Sequence, residues 1–252
     1  MAIAKNAFRE AVRDRILYNL ILFVLLITAS AIFLGEMTAG QEARVIVNLG
    51  LSTMLIFGAF ISIFVGVSLV WKEIEKRNVY SIFSKPVGRG EFIIGKYIGL
   101  CLTLLVNVAV MGVGVTLALL YVGGGHFFGG IWKAILLIFL ELTIVTAVAI
   151  MFSSFSTPAL SALLTFFVFV IGNFSASLQD MAQEIGSKKA SVVFEAIYYL
   201  LPNLSLFNFT TETSSAIVPP AQMMGGSFLY ALIYDIILLT VTIVIFNRRN
   251  FK

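Results

Sequence analysis

Charged residues stand far apart in this chain, and the intervals between them limit what it can fold into. Between Arg15 and Glu36 come 20 uncharged residues, Ile16 to Gly35, and between Arg44 and Lys72 come 27, Val45 to Trp71. A bilayer core about 30 Å thick is crossed by about 20 helical residues at ~1.5 Å each. Both stretches are long enough to cross, and the 60% apolar and 12% charged content over 252 residues makes lipid the main solvent.

Four more long apolar stretches follow, two of them carrying charged residues. Residues 97–122 run up to the glycines 123–125, which release the chain into a loop. Residues 132–155, then 159–178 after Pro158, and finally 227–246 complete the set. The expected fold class is therefore all-α, a polytopic membrane protein of six transmembrane helices. Lys and Arg near span ends gather on the cytoplasmic side. Lys5, Arg9, Arg13, Arg15, Lys72, Lys76, Arg77, Lys85, Arg89, Lys96, Arg248, Arg249 and Lys252 fall on one side, and only Arg44, Lys133, Lys188 and Lys189 on the other. Both termini are expected in the cytoplasm. Trp71 and Trp132 mark opposite membrane faces, where aromatic belts form.

The net charge of +4 suits contact with anionic lipid. No basic surface interleaved with aromatics points to nucleic acid. Cys101 is the single cysteine, so there is no disulfide framework. Ala29, Ser30 and Ala31 form a small-x-small site after an apolar stretch, as a cleaved leader would. Glu10, Asp14 and the apolar continuation through Leu34 favour an uncleaved first span.

Three segments outside the spans carry pattern. In residues 3–15 the apolar Ile3, Ala4, Ala7, Phe8, Ala11 and Val12 share one helical face, while Lys5, Arg9, Glu10, Arg13 and Asp14 share the other. A short interfacial helix is expected there. Residues 72–92 are rich in basic residues and include Glu73, Glu75 and Glu91, with a turn forced at Pro86 and Gly88. A helix held out into the cytoplasm can dock on a soluble partner. Gly90, Gly95, Lys96 and Tyr97 imitate a phosphate-binding loop, but a tyrosine stands where the magnesium-binding Ser or Thr belongs, so ATP is not expected to bind here. Between spans five and six, residues 179–224 contain an apolar stretch too short to cross, expected as a re-entrant or surface helix. Asn203 and Asn208 fall in glycosylation-type triplets, to which no role is assigned.

Within the spans, Glu141 and Asp235 are the costly residues. An ionisable group at that depth faces a protein interior or an aqueous path. Two readings stay open: contact with substrate or a proton, or plain hydrogen bonding to Thr, Asn or backbone inside the bundle. Gly58, Ser62 and Gly66 recur every four residues and permit close helix approach. His126, Met223, Met224 and Cys101 are too scattered for a metal cluster, so no metal site is expected.

The chain resembles the permease subunits of ABC type-2 exporters, in the branch that includes nitrous-oxide-reductase maturation and gliding-motility permeases. The resemblance is carried by F-R-E at Phe8 to Glu10, by K-E-I-E-K-R-N-V-Y-S-I-F-S-K-P-V-G-R-G-E-F-I-I-G-K-Y-I-G from Lys72 to Gly99, and by Y-Y-L-L-P-N-L-S-L-F-N from Tyr198 to Asn208. It implies an elbow helix holding Phe8, Arg9, Glu10 and Arg13. It also implies a coupling helix that places Glu73, Glu75, Arg77, Ser84, Lys85, Pro86 and Arg89 against an ABC ATPase subunit. That separate subunit would bind ATP and Mg, so this chain is expected to have no cofactor and no catalytic residues. A second permease subunit, homodimeric or heterodimeric, is implied, as is residence in the plasma membrane. The rival readings are an ion-coupled secondary transporter using Glu141 and Asp235, or a non-transporting membrane assembly factor.

Overall fold

The computed structural model describes residues 2–12, 22, 25–30, 32–33, 40–75, 88–175, 177, 198 and 201–248. Every regular element among them is helical. The long helices are α2 (Glu42–Glu75), α3 (Arg89–Tyr121), α4 (Phe128–Ser153) and α7 (Ala221–Arg248). Shorter ones are α1 (Ala2–Val12), α5 (Pro158–Asn173) and α6 (Thr210–Ser214), with single 3-10 turns at Gly125–Phe127 and Leu204–Phe207. Among the described residues four helical stretches are long and apolar enough to cross a membrane: Glu42–Ser68, Gly90–Tyr121, Gly125–Ser153 and Ala221–Arg248. The expected fifth span is a shorter apolar helix of 16 residues. Most of the expected first span, residues 16–35, lies outside the described residues, although 25–30 are helical.

All four long helices begin or end beyond the expected stretches. At 34 residues, α2 is about 51 Å long at ~1.5 Å per residue, well over a bilayer core of about 30 Å. Its last turn carries Glu73 and Glu75 past the charge-free stretch that ends at Trp71. Helix α3 starts at Arg89 rather than at residue 97, because Gly88 caps its first turn and nothing from Arg89 to Tyr97 breaks the ladder. Its far end closes in a Schellman turn. Gly123 takes φ +77°, Gly124 N donates to Leu119 O at 2.8 Å, and Gly123 N donates to Leu120 O at 3.3 Å.

The axis of the bundle is α4. Its apolar stretch is 78% buried, whereas that of α7 is only 11% buried, so α4 is the hub and α7 a peripheral strut. Small residues set the approach of α2 to that hub. A methyl group at Gly58 would lie 2.5 Å from Leu142 Cδ1, and one at Gly66 would lie 3.1 Å from Ala149 Cβ. Ser62, midway between them, is buried and donates to Gly58 O at 2.9 Å. Four other intramembrane hydroxyls do likewise: Thr103 donates to Gly99 O, Thr146 to Leu142 O, Thr165 to Ser161 O and Thr242 to Leu238 O. Each meets its own helix's backbone, which satisfies a polar group where no water is at hand.

Helix α1 does not lie free on the surface. Ala7 is fully buried against α3, where a methyl on Gly99 would meet Ala7 Cβ at 2.6 Å, Ala4 O at 2.7 Å and Phe8 N at 3.1 Å. The amphipathic face thus packs on protein along its Ala4–Phe8 edge, while Lys5 and Arg9 remain exposed.

Candidate functional site

Both intramembrane carboxylates are brought to α4, on different sides of it. Glu141 is fully buried, and its Oε1 accepts a 2.7 Å hydrogen bond from Asn173 Nδ2 at the end of α5. Asn173 sends its other amide hydrogen to Phe169 O at 3.1 Å. Glu141 Oε2 meets no hydrogen-bond partner in the described residues. Two residues along, Thr143 Oγ1 lies 3.1 Å from Asp235 Oδ2 on α7 and 2.7 Å from Leu140 O. Tyr97 reaches from α3 toward the same carboxylate and toward Cys101, one turn on. It leaves Asp235 Oδ1 without a hydrogen bond, buried though that atom is.

The segment at residues 201–207 covers this region. Leu204 and Phe207 are fully buried in one cluster with Leu137 and Leu140 of α4 and Ala231 of α7, which precede Glu141 and Asp235 in their helices. Backbone approach is what lets the segment in: a methyl at Gly172 would lie 2.8 Å from Pro202 O. A polar knot holds it. Ser175 and Ser205 hydroxyls both donate to Asn203 Oδ1, at 2.5 and 2.6 Å, and Asn203 N donates to the Tyr230 hydroxyl at 2.8 Å. Tyr198 OH lies 3.4 Å from Asn203 Nδ2. Asn203, read in the sequence only as an idle glycosylation-type triplet, is the centre of this knot. Tyr230→Phe, which leaves the Asn203 N–H without its acceptor, is expected to cost about 1 kcal/mol, read as a lowered melting temperature of the purified protein.

The remaining sequence-predicted positions are placed as follows. Glu73 and Glu75 form the end of α2, and Arg89 is the first residue of α3. Arg77, Ser84, Lys85 and Pro86 lie outside the described residues, as does Arg13. Phe8, Arg9 and Glu10 belong to α1, with Phe8 half-buried. The phosphate-loop look-alike, Gly90 to Tyr97, is continuous α-helix, with Lys96 buried 5.8 Å from the Phe92 ring centroid. Among the described residues no three or more His, Cys, Asp and Glu side chains gather as a metal cluster would. Sequence reasoning found the two carboxylates but not Asn173, Thr143 or Tyr97. Each is a polar residue within an apolar run, and that signal singles it out without saying which neighbour it meets.

Residues 1–251 match a protein-family model described as ABC-2 family transporter protein. No curated protein gives a significant match.

Proposed function

The chain belongs to the ABC-2 family of transporter proteins, and from that premise we propose that it is the permease of an exporter driven from its cytoplasmic face by residues 72–92. Family membership makes the protein a permease, the multi-pass membrane subunit of an ABC transporter. Such subunits bind no cofactor. Nucleotide is bound and hydrolysed by the ABC ATPase subunits with which they generally pair.

Six spans cross the plasma membrane with both termini in the cytoplasm, residues 16–35 supplying the first span. Residues 3–15 form the elbow helix, where Phe8, Arg9, Glu10 and Arg13 meet the inner interface. Glu73, Glu75, Arg77, Ser84, Lys85, Pro86 and Arg89 engage the ATPase, and two permease subunits, alike or different, pair around the transport path. Glu141 and Asp235 border that path. Gly58, Ser62 and Gly66 provide the close α2–α4 seam that lets the two helices move as one body. The branch is the one whose members serve nitrous-oxide-reductase maturation and gliding motility.

One observation carries the coupling assignment. The surplus length of α2 brings Glu73 and Glu75 beyond its apolar stretch as a rigid helical extension, and α3 picks the chain up again at Arg89. Force applied to residues between those points is delivered along two helix axes at once. Glu75→Arg or Arg89→Glu is expected to lower transport-linked ATP hydrolysis several-fold and to weaken assembly with the ATPase, measured by co-purification and by turnover in reconstituted vesicles. Unchanged assembly together with unchanged turnover would refute the assignment.

A further inference from the structure

The Thr143 hydroxyl is asked for more than it has. It lies 2.7 Å from Leu140 O and 3.1 Å from Asp235 Oδ2, and a threonine hydroxyl holds a single hydrogen. When that hydrogen serves the nearer acceptor, Leu140 O, two lone-pair atoms face each other across the gap to Asp235 unless Oδ2 carries a hydrogen of its own. The other carboxyl oxygen, Oδ1, is buried and meets no donor in the described residues. The groups that face Asp235 are Thr143 from α4 and, from α3, Cys101 and Tyr97, whose hydroxyl hydrogen-bonds the carboxyl group; none of them is a cation. An ionised carboxylate so placed has an oxygen with neither donor nor counter-charge, the arrangement a bilayer interior tolerates least. A neutral carboxylic acid leaves only an uncharged carbonyl oxygen there, a much smaller cost.

We propose that Asp235 is a proton-binding site. Its proton sits on Oδ2 and completes a chain in which Asp235 donates to Thr143 Oγ1 and Thr143 donates to Leu140 O, tying α7 to α4. Removing the proton obliges the Thr143 hydroxyl to turn from Leu140 O toward Oδ2, so the tie has two settings. Because α7 is the least buried of the long helices, this is a place where proton occupancy sets how firmly it is held. Glu141 is built differently and serves as an internal comparison, since Asn173 gives one N–H to it and the other to Phe169 O.

Infrared spectroscopy of the complete transporter in lipid at neutral pH tests this. A protonated carboxyl absorbs above the amide region. Part of that absorption is expected to vanish in Asp235→Asn, to persist in Glu141→Gln, and to shift in Thr143→Val, which keeps the shape of the side chain but removes the acceptor. If Asp235→Asn does not fold, the Thr143→Val shift decides the matter in a chain that still has its aspartate. The proposal is overturned if Asp235→Asn leaves all protonated-carboxyl absorption in place, or if Thr143→Val leaves it at the same frequency. Transport-linked ATP hydrolysis by the same samples reports on the permease assignment separately, and its absence from the native complex would leave the infrared result standing.

Discussion

Gly99→Val in α3 is expected to dislodge α1 and to destabilise the protein by about 1–3 kcal/mol, the usual range for overpacking a closed contact. The reason is what stands in the way. Two of the three atoms that a Cβ at Gly99 would strike are backbone, Ala4 O at 2.7 Å and Phe8 N at 3.1 Å, and neither can step aside without the whole helix moving. At Gly58 the obstruction is Leu142 Cδ1, the end of a flexible side chain, so an alanine there is expected to be the milder change. Once α1 lifts, Ala7 loses its cover and the amphipathic face has only the interface to lie on. Amide hydrogen exchange should rise over residues 2–12 while the melting temperature falls. If exchange over α1 were the same in Gly99→Val and in the native chain, α1 would not be docked at that position.

Glu141→Leu is expected to cost about 1–3 kcal/mol, because Asn173 is left with a buried N–H and no acceptor. Asn173→Leu should cost at least as much, since it strips Glu141 of the one side-chain donor that meets it among the described residues. The double variant should recover most of the loss, because two apolar residues of similar size leave nothing unpaired. Glu141→Gln keeps an acceptor for Asn173 and should melt close to the native protein. A double variant whose loss equals the sum of the two singles would mean that the pair is not coupled. The same variants separate structure from transport. Glu141→Gln that melts normally yet loses transport-linked ATP hydrolysis places the carboxyl on the working path, and one that keeps it makes Glu141 a packing residue.

The long helices were legible in the sequence because lipid imposes a length and excludes charge. Runs such as 45–71 and 97–122 announce themselves on that ground alone. Their ends were less so. Charge counting stops a span at its first Lys or Glu, but a helix continues until its backbone is broken, and α3 therefore begins eight residues before 97. Lys96, taken as the border of the cytoplasmic segment, is instead buried within α3. Helix α5 errs the other way, ending at Asn173 rather than near 178. The apolar count does not register that Asn173 is occupied by Glu141 and Ser175 by Asn203. Partners like these come from elements distant in the chain, so periodicity has no access to them. The Gly58, Ser62 and Gly66 spacing predicted a close approach but not its partner, which only the three-dimensional path of α4 supplies.

The brevity of α5 bears on how the protein sits among lipids. Its 16 residues amount to about 24 Å, some way short of a hydrocarbon layer about 30 Å deep. Beside its end the chain returns at Pro202 to Phe207, part of it a 3-10 turn, and the Asn203 N–H there is satisfied by the Tyr230 hydroxyl. When the host bilayer thickens, α2, α3 and α7 can change tilt and still reach both surfaces, but α5 has no spare turns. Among the described residues the strain of hydrophobic mismatch therefore falls on the seam beside α5, and membrane thickness becomes a variable to which that seam must answer.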